Sequence, residues 1–304
     1  MNKPISYIFI LLGASLWGCM GMCNRFLTAA GFSQSQILFV RCIFTFIVLL
    51  VYVLVFNRSA LRIKPAHIWC FLGSGLLSFT AFAWAYNNAM QEMSLSVAVV
   101  LLYTAPIWVV LLSAVFFKEK LNAKKVAALT LVVCGALFSC GVIGGSLTLT
   151  PLGLLFGFIS GLGYALYSIF SRFAFLRGYS PLTVTFYTFL FATIASAFIG
   201  SPAEIPPLVT NAYVVFWMLA ISLGTTLLAY VFYTKGLEHV ENGPASVLAT
   251  IELVVATAIS ALFFGEAFSI QNALGVVFVI AGIVVMNVNF QKHSQKSSSN
   301  TTYQ

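Results

Sequence analysis

Ten apolar runs alternate with short polar breakers along the chain, at about 5–26, 36–56, 67–89, 95–117, 125–143, 152–173, 181–200, 212–235, 245–264 and 271–290. A transmembrane helix needs about 20 consecutive apolar residues, so the pattern predicts ten spans. The breakers are Asn57-Arg58-Ser59, Lys118-Glu119-Lys120, Gly144-Gly145-Ser146 and the proline-bearing stretch from Ser201 to Pro207. Pro151, Pro181 and Pro244 stand where helices would begin, positions at which a missing N–H costs nothing. The first run opens with only Lys3 and offers no small-x-small cleavage site, so it is read as a span and not as a signal peptide.

Inside the runs the polar and small residues recur at helical spacing. Gly13, Trp17, Met20, Gly21 and Asn24 share one face of the first span, and Ser160, Tyr164, Tyr167, Ser168 and Ser171 share the matching face of the sixth. The third span offers Thr80, Trp84, Asn87, Asn88 and Gln91. The eighth offers Thr226, Tyr230, Tyr233 and Thr234, and the ninth Ser246, Thr250, Thr257 and Ser260. Polar side chains in a bilayer tend to face the bundle interior, so these stripes predict cavity linings. The competing reading is helix packing, favoured for the Gly, Ser and Ala positions.

The stripes match because the chain repeats. A shift of 147 residues lays Trp17 on Tyr164, Arg25 on Arg172, Gly31 on Gly178, Ser33 on Ser180, Tyr86 on Tyr233, Glu119 on Glu266 and Gly135 on Gly282, without gaps. Five spans per copy is an odd number, so the second copy would enter the membrane from the opposite side. Inverted repeats of this kind place a substrate site at their interface near mid-bilayer. The expected organisation is a first repeat over 1–143, a second over 144–290 and a disordered cytoplasmic tail over 291–304.

Composition narrows the function. With 61% hydrophobic and 7% charged residues, against about 25% charged in soluble domains, a soluble enzyme is excluded. The net charge of +8 would suggest nucleic acid in a soluble protein, but here it reports orientation. A cytoplasmic N-terminus puts 13 of the 15 Lys and Arg residues on the inner side, all but Arg25 and Arg41. Both termini are therefore expected in the cytoplasm, with the chain multi-pass in the cell (inner) membrane. The six cysteines sit in apolar runs without CxxC spacing and the three histidines lie at helix ends or in the tail, so no metal or cofactor is expected. The chain has no Asp and no intramembrane His, which disfavours catalysis.

The pattern Ser113-Ala114-Val115-Phe116-Phe117-Lys118-Glu119-Lys120-Leu121 followed by Gly135, and its partner Ser260-Ala261-Leu262-Phe263-Phe264-Gly265-Glu266 followed by Gly282, resembles the end of a repeat in the EamA family of the drug/metabolite transporter superfamily. Ala105-Pro106, Trp17 and Ile251-Glu252 fit as well. The resemblance implies an all-α integral membrane protein of ten helices in two inverted five-helix repeats. It also implies secondary transport of amino acids, amines or other small metabolites, often outward. Two positions depart from the family: Leu253 stands where Pro commonly follows the Glu, and Lys118 where Gly is frequent. Leu253 weakens the case for symmetric kinks in the fourth and ninth spans.

Glu252 is the one acidic residue expected well inside a span, and an intramembrane carboxyl is a functional candidate by default. Proton coupling, a counter-charge for an amine, and a structural hydrogen bond all fit it. Arg41, five residues into the second span, is expected to snorkel to the outer interface, with pairing to Glu252 or to a substrate carboxylate as alternatives. The expected substrate contacts are Trp17, Trp84, Asn87, Asn88, Tyr103, Tyr164, Tyr167, Tyr230, Tyr233 and Glu252. The reading is an alternating-access exporter of small amphipathic solutes, monomeric or weakly dimeric, with the bilayer as its surroundings and protons as the candidate coupling ion. An importer or exchanger of an organic cation or nucleotide-like metabolite is the alternative. A lipid flippase would further need a lipid-facing groove.

Overall fold

Ser33 opens the second helix with a reciprocal pair of bonds: its hydroxyl accepts the Gln36 backbone N–H at 3.2 Å, and its own N–H donates to Gln36 Oε1 at 2.8 Å. Such a capping box satisfies donors that a helix start leaves open. Ser180, 147 residues on, caps the seventh helix with its hydroxyl alone, accepting the Thr183 N–H at 3.2 Å. The computed structural model describes residues 3–142, 148–265 and 268–287. Glu266, the Gly144-Gly145-Ser146 breaker and the tail over 291–304 lie outside the described residues.

The described regular structure is helical and groups into rods α1 (Lys3–Ala29), α2 (Gln34–Phe56), α3 (Pro65–Glu92), α4 (Leu95–Phe117), α5 (Ala123–Ser139), α6 (Pro151–Phe175), α7 (Pro181–Ile199), α8 (Ala212–Leu237), α9 (Asn242–Phe264) and α10 (Ile270–Asn287). Among the described residues nine of these are long and apolar enough to cross a membrane, and α5 has 17 residues. The chain is a multi-pass membrane protein. Large apolar side chains such as Val55, Phe56, Phe198 and Leu262 remain exposed on its outside, as a bilayer solvent requires.

The backbone itself repeats. Gly31 and Gly178 both take positive φ, 97° and 81°, just beyond α1 and α6. Lys118 and Gly265 close α4 and α9 in the left-handed region, at 57° and 62°. A π-helical segment over Gly73–Thr80 in α3 recurs over Ala220–Leu228 in α8. Each π segment frees carbonyls, and a threonine takes one up five residues back: Thr80 to Gly75 O at 2.9 Å, Thr226 to Ile221 O at 2.8 Å. Buried hydroxyls left unpaired in lipid would cost several kcal/mol each, so these bonds are structural.

The two copies interlock. α1 packs on α8 and α6 on α3, while α2 and α7 each pack on the other copy's π segment. The largest buried cluster accordingly draws on both, including Ile10, Cys42, Phe79, Tyr167, Phe189, Tyr230 and Leu237. Gly13 is what lets α1 approach α8: a Cβ there would stand 2.7 Å from Ala229 O and 2.9 Å from the Tyr233 nitrogen.

α4 and α9 are both interrupted at mid-length, between Leu102 and Ala105 and at Thr250. Leu253 therefore does not prevent a symmetric break. The cause is a threonine in each: Thr104 Oγ1 donates to Leu101 O and Thr250 Oγ1 to Val247 O, both at 2.6 Å. The backbone at each adds a tightened three-residue bond, Thr104 N to Leu101 O and Thr250 N to Val247 O, both at 3.2 Å. Pro106 stands just beyond the break in α4, whereas the second half of α9 opens without a proline.

Candidate functional site

Trp17 leaves α1 on the face that Gly13 brings against α8, and its ring meets Tyr233 at 4.9 Å, Tyr230 at 5.1 Å and Tyr164 of α6 at 6.1 Å. Tyr167 stands perpendicular to Tyr230 at 5.0 Å. These rings, with Ser78 and Phe82 of α3 and Ser168 of α6, line a small cavity. Hydroxyl pairs fix the aromatic wall: Tyr167 to Thr234 at 2.5 Å and Ser168 to Tyr233 at 2.8 Å. The Trp17 indole N–H is buried and makes no hydrogen bond, which leaves a donor beside the cavity.

A second small cavity lies where α4 and α9 break, lined by Tyr103, Pro106, Tyr164, Ser246, Thr250 and Glu252. The Tyr164 hydroxyl donates to Glu252 Oε2 at 3.3 Å. Tyr164 therefore forms the wall between the two cavities and ties the carboxyl to the aromatic cluster. Each cavity holds about 10 Å³ of open space, room for little more than a water molecule, far below the roughly 300–1,000 Å³ of small-molecule sites.

The structure brings together Trp17, Tyr103, Tyr164, Tyr167, Tyr230, Tyr233 and Glu252 around these two cavities. It does not bring Trp84 or Asn88 there. Trp84 is 44% exposed and packs edge-on against Phe156 at 5.3 Å, and Asn88 turns back on the Trp84 carbonyl at 2.7 Å. Asn87 is half-buried and outside both linings. The inward face of α3 is set by Ala85 and Ala89, both fully buried, and by Phe82, whose backbone closes on Gly163. Ser78 and Phe82 are thus cavity residues that polarity alone did not single out. The signal available was positional, since Ser78 stands 147 residues before the hydroxyl-bearing Thr225.

Arg41 does not snorkel outward. It turns into the bundle, where Nε donates to Thr226 Oγ1 at 3.1 Å, Nη1 lies 3.1 Å from Met20 Sδ, and the guanidinium sits 5.1 Å from the centre of the Phe79 ring. The face of α2 that carries it packs on the π segment of α8, which commits the side chain inward.

One end of the site is sewn shut. Arg172 at the end of α6 donates to Asn242 Oδ1 at 3.1 Å, to Leu237 O at 2.9 Å and to Val240 O. Asn242 also donates to Ser113 Oγ at 3.1 Å. Glu119, just beyond α4, accepts N–H groups of Asn242 and Gly243 at 2.9 and 3.4 Å, where α9 begins. Buried Lys125 bridges Glu119 and Glu241 at 3.1 Å each. A carboxylate suits the positive end of a helix, and here it fastens the first copy to the second.

A family model described as the EamA-like transporter family matches residues 4–141 and 151–288. An uncharacterized transporter of Archaeoglobus fulgidus is 30% identical over 283 residues, 91% of this chain and 94% of its own. One from Helicobacter pylori is 27% identical over 93% of this chain and 95% of its own, and one from Bacillus subtilis is 26% identical over 73% and 71%. A crystal structure with 20% identity superposes with a TM-score of 0.79 over 94% of this chain and 97% of that one, a likeness of fold.

Proposed function

The chain belongs to the EamA-like transporter family, and on that footing we propose that it is a secondary active exporter of small amphipathic metabolites, amino acids and amines foremost. Its ten helices, α5 included, form two five-helix repeats inverted across the cell (inner) membrane, with both termini cytoplasmic. The repeats rock about the cavities at their junction. The observation that carries the reading is the junction itself: Trp17 from the first repeat closes on Tyr164, Tyr230 and Tyr233 from the second, and Tyr164 hydrogen-bonds Glu252. Aromatic faces hold organic cations with about 0.5–2 kcal/mol per contact. A carboxyl inside the bundle supplies a place for a proton to be taken up and released, and protons are the coupling ion.

Alternating access requires that the two ends open in turn. The Arg172, Asn242 and Glu119 network supports a state closed at that end, the cytoplasmic one in this topology. Counterflow of labelled amino acids and amines in proteoliposomes tests the reading. Accumulation above the equilibrium level on the preloaded side is expected. A protein that moves no solute under any imposed gradient would contradict it.

A further inference from the structure

Arg41 enters the bundle seven residues beyond the first residue of α2, about 10 Å along the helix at 1.5 Å per residue. Its contacts there are Thr226 Oγ1, Met20 Sδ and the Phe79 ring. None of these is anionic, and a thioether is a weak acceptor. Two contacts use two of the five N–H donors of a guanidinium, leaving three unassigned. The described ion pairs join Lys125 to Glu119 and Glu241, and His239 to Glu238, all in the sewn end of the bundle. Arg41 is half-buried; a charge even partly withdrawn from water without a counter-ion is costly, and ionisable groups within membrane spans tend to mark ligand pathways.

The surroundings join this charge to the cavities. Phe79, under the guanidinium, lies 5.4 Å from the Tyr230 ring, which lies 5.1 Å from Trp17. Arg41 and Phe79 stand outside both linings, behind Tyr230, so a band of aromatic rings separates a cationic group from the acidic Glu252. We propose that Arg41 is the subsite for the carboxylate of the transported solute. A planar guanidinium fork matches a carboxylate in shape and takes it through two parallel N–H bonds. A phosphate dianion would bring a second charge, and the described contacts around Arg41 place no second cation beside it. The unpaired Trp17 N–H offers a further donor to the same solute. Discrimination then follows from charge: an amide or amine of the same shape leaves the guanidinium uncompensated. The assignment rests on the transport reading.

The test uses the full chain in proteoliposomes and matched probes: L-leucine against leucinamide, L-phenylalanine against phenethylamine, benzoate against benzamide. Wild-type protein is expected to move at least one acid with a kcat/KM tenfold or more above its uncharged-carboxyl partner. Arg41→Lys keeps the charge and loses the fork, and should raise KM for that acid about tenfold while leaving the partner probe unchanged. Arg41→Gln should abolish the discrimination. Thermal melting of each variant in detergent separates misfolding from lost recognition, and Arg41→Lys, which retains the cation, keeps the test alive if Arg41→Gln does not fold. Unchanged KM for the acid in both folded variants, or equal wild-type transport of acids and amides, overturns the Arg41 assignment and leaves transport standing. A wild-type protein that moves no probe of either series overturns the transport reading, and the assignment with it.

Discussion

Glu119 accepts the backbone N–H of Asn242 at 2.9 Å, so a residue just past the end of α4 anchors the first turn of α9 from the other repeat. The same carboxylate holds Lys125 at 3.1 Å with both side chains at or below 10% exposure. Glu241 holds that lysine at an equal distance, but its own side chain is 64% exposed.

Equal distance with unequal burial predicts unequal cost. Glu119→Ala strands a buried ammonium and two backbone donors, and should lower stability by about 3 kcal/mol. Glu241→Gln removes a pair in contact with solvent, and should cost under about 1 kcal/mol. Thermal melting in detergent reads both, and comparable shifts would contradict the burial argument.

Buried Gly13 and exposed Gly21, both in α1, should behave differently. Gly13→Ala drives a methyl into Ala229 O and the Tyr233 backbone and should destabilise by about 1–3 kcal/mol. Gly21→Ala meets nothing within 4 Å and should be neutral or slightly stabilising. Melting curves of the two single variants decide it.

Trp17→Phe keeps a ring and deletes the unpaired donor. Loss of one hydrogen bond made only to the solute should raise KM about fivefold to tenfold, near 1–1.5 kcal/mol, with melting unchanged. A KM equal to wild type in counterflow would mean that the N–H does not meet the solute.

Glu252→Gln retains the shape that Tyr164 contacts and removes the titratable group. Proton-driven accumulation should disappear, while counterflow at fixed pH persists. If net transport keeps its full response to an imposed pH gradient, coupling runs through another group.

Much of this was legible in the residues, for physical reasons. Capping serines, left-handed helix ends and apolar run lengths are local instructions, which is why Ser33 and Ser180, or Lys118 and Gly265, could be paired by offset alone. The aromatic cluster was legible because Trp17, Tyr164, Tyr230 and Tyr233 occupy helical stripes that a repeat superposes. The inward face of α3 was not. Polarity pointed to Trp84 and Asn88, whereas packing chose Ala85 and Ala89, whose small size decides how closely α6 approaches. Arg41 was misjudged for a related reason. Snorkelling is a property of an isolated helix, and the rotation of α2 is fixed by α8, a distant part of the chain. The threonine-made break in α9 escaped because a hydroxyl that bonds its own helix looks no different in sequence from one that faces a cavity.

The polar seam at Arg172 was not inherited equally by the two copies. At the offset of 147, Lys125, Glu241 and Asn242 become Asn272, Ser94 and Leu95, while Arg172 and Glu119 become Arg25 and Glu266. A duplicated machine with identical halves would be degenerate, resting half the time open to each side. On the proposed alternating-access cycle, divergence at these three positions would lift that degeneracy, and a bias of only about 1.4 kcal/mol would already hold ten molecules in eleven on one side. On the proposed cycle, which end the protein keeps closed at rest is written in how its two halves have ceased to be alike, while the gradients set the direction of net flux.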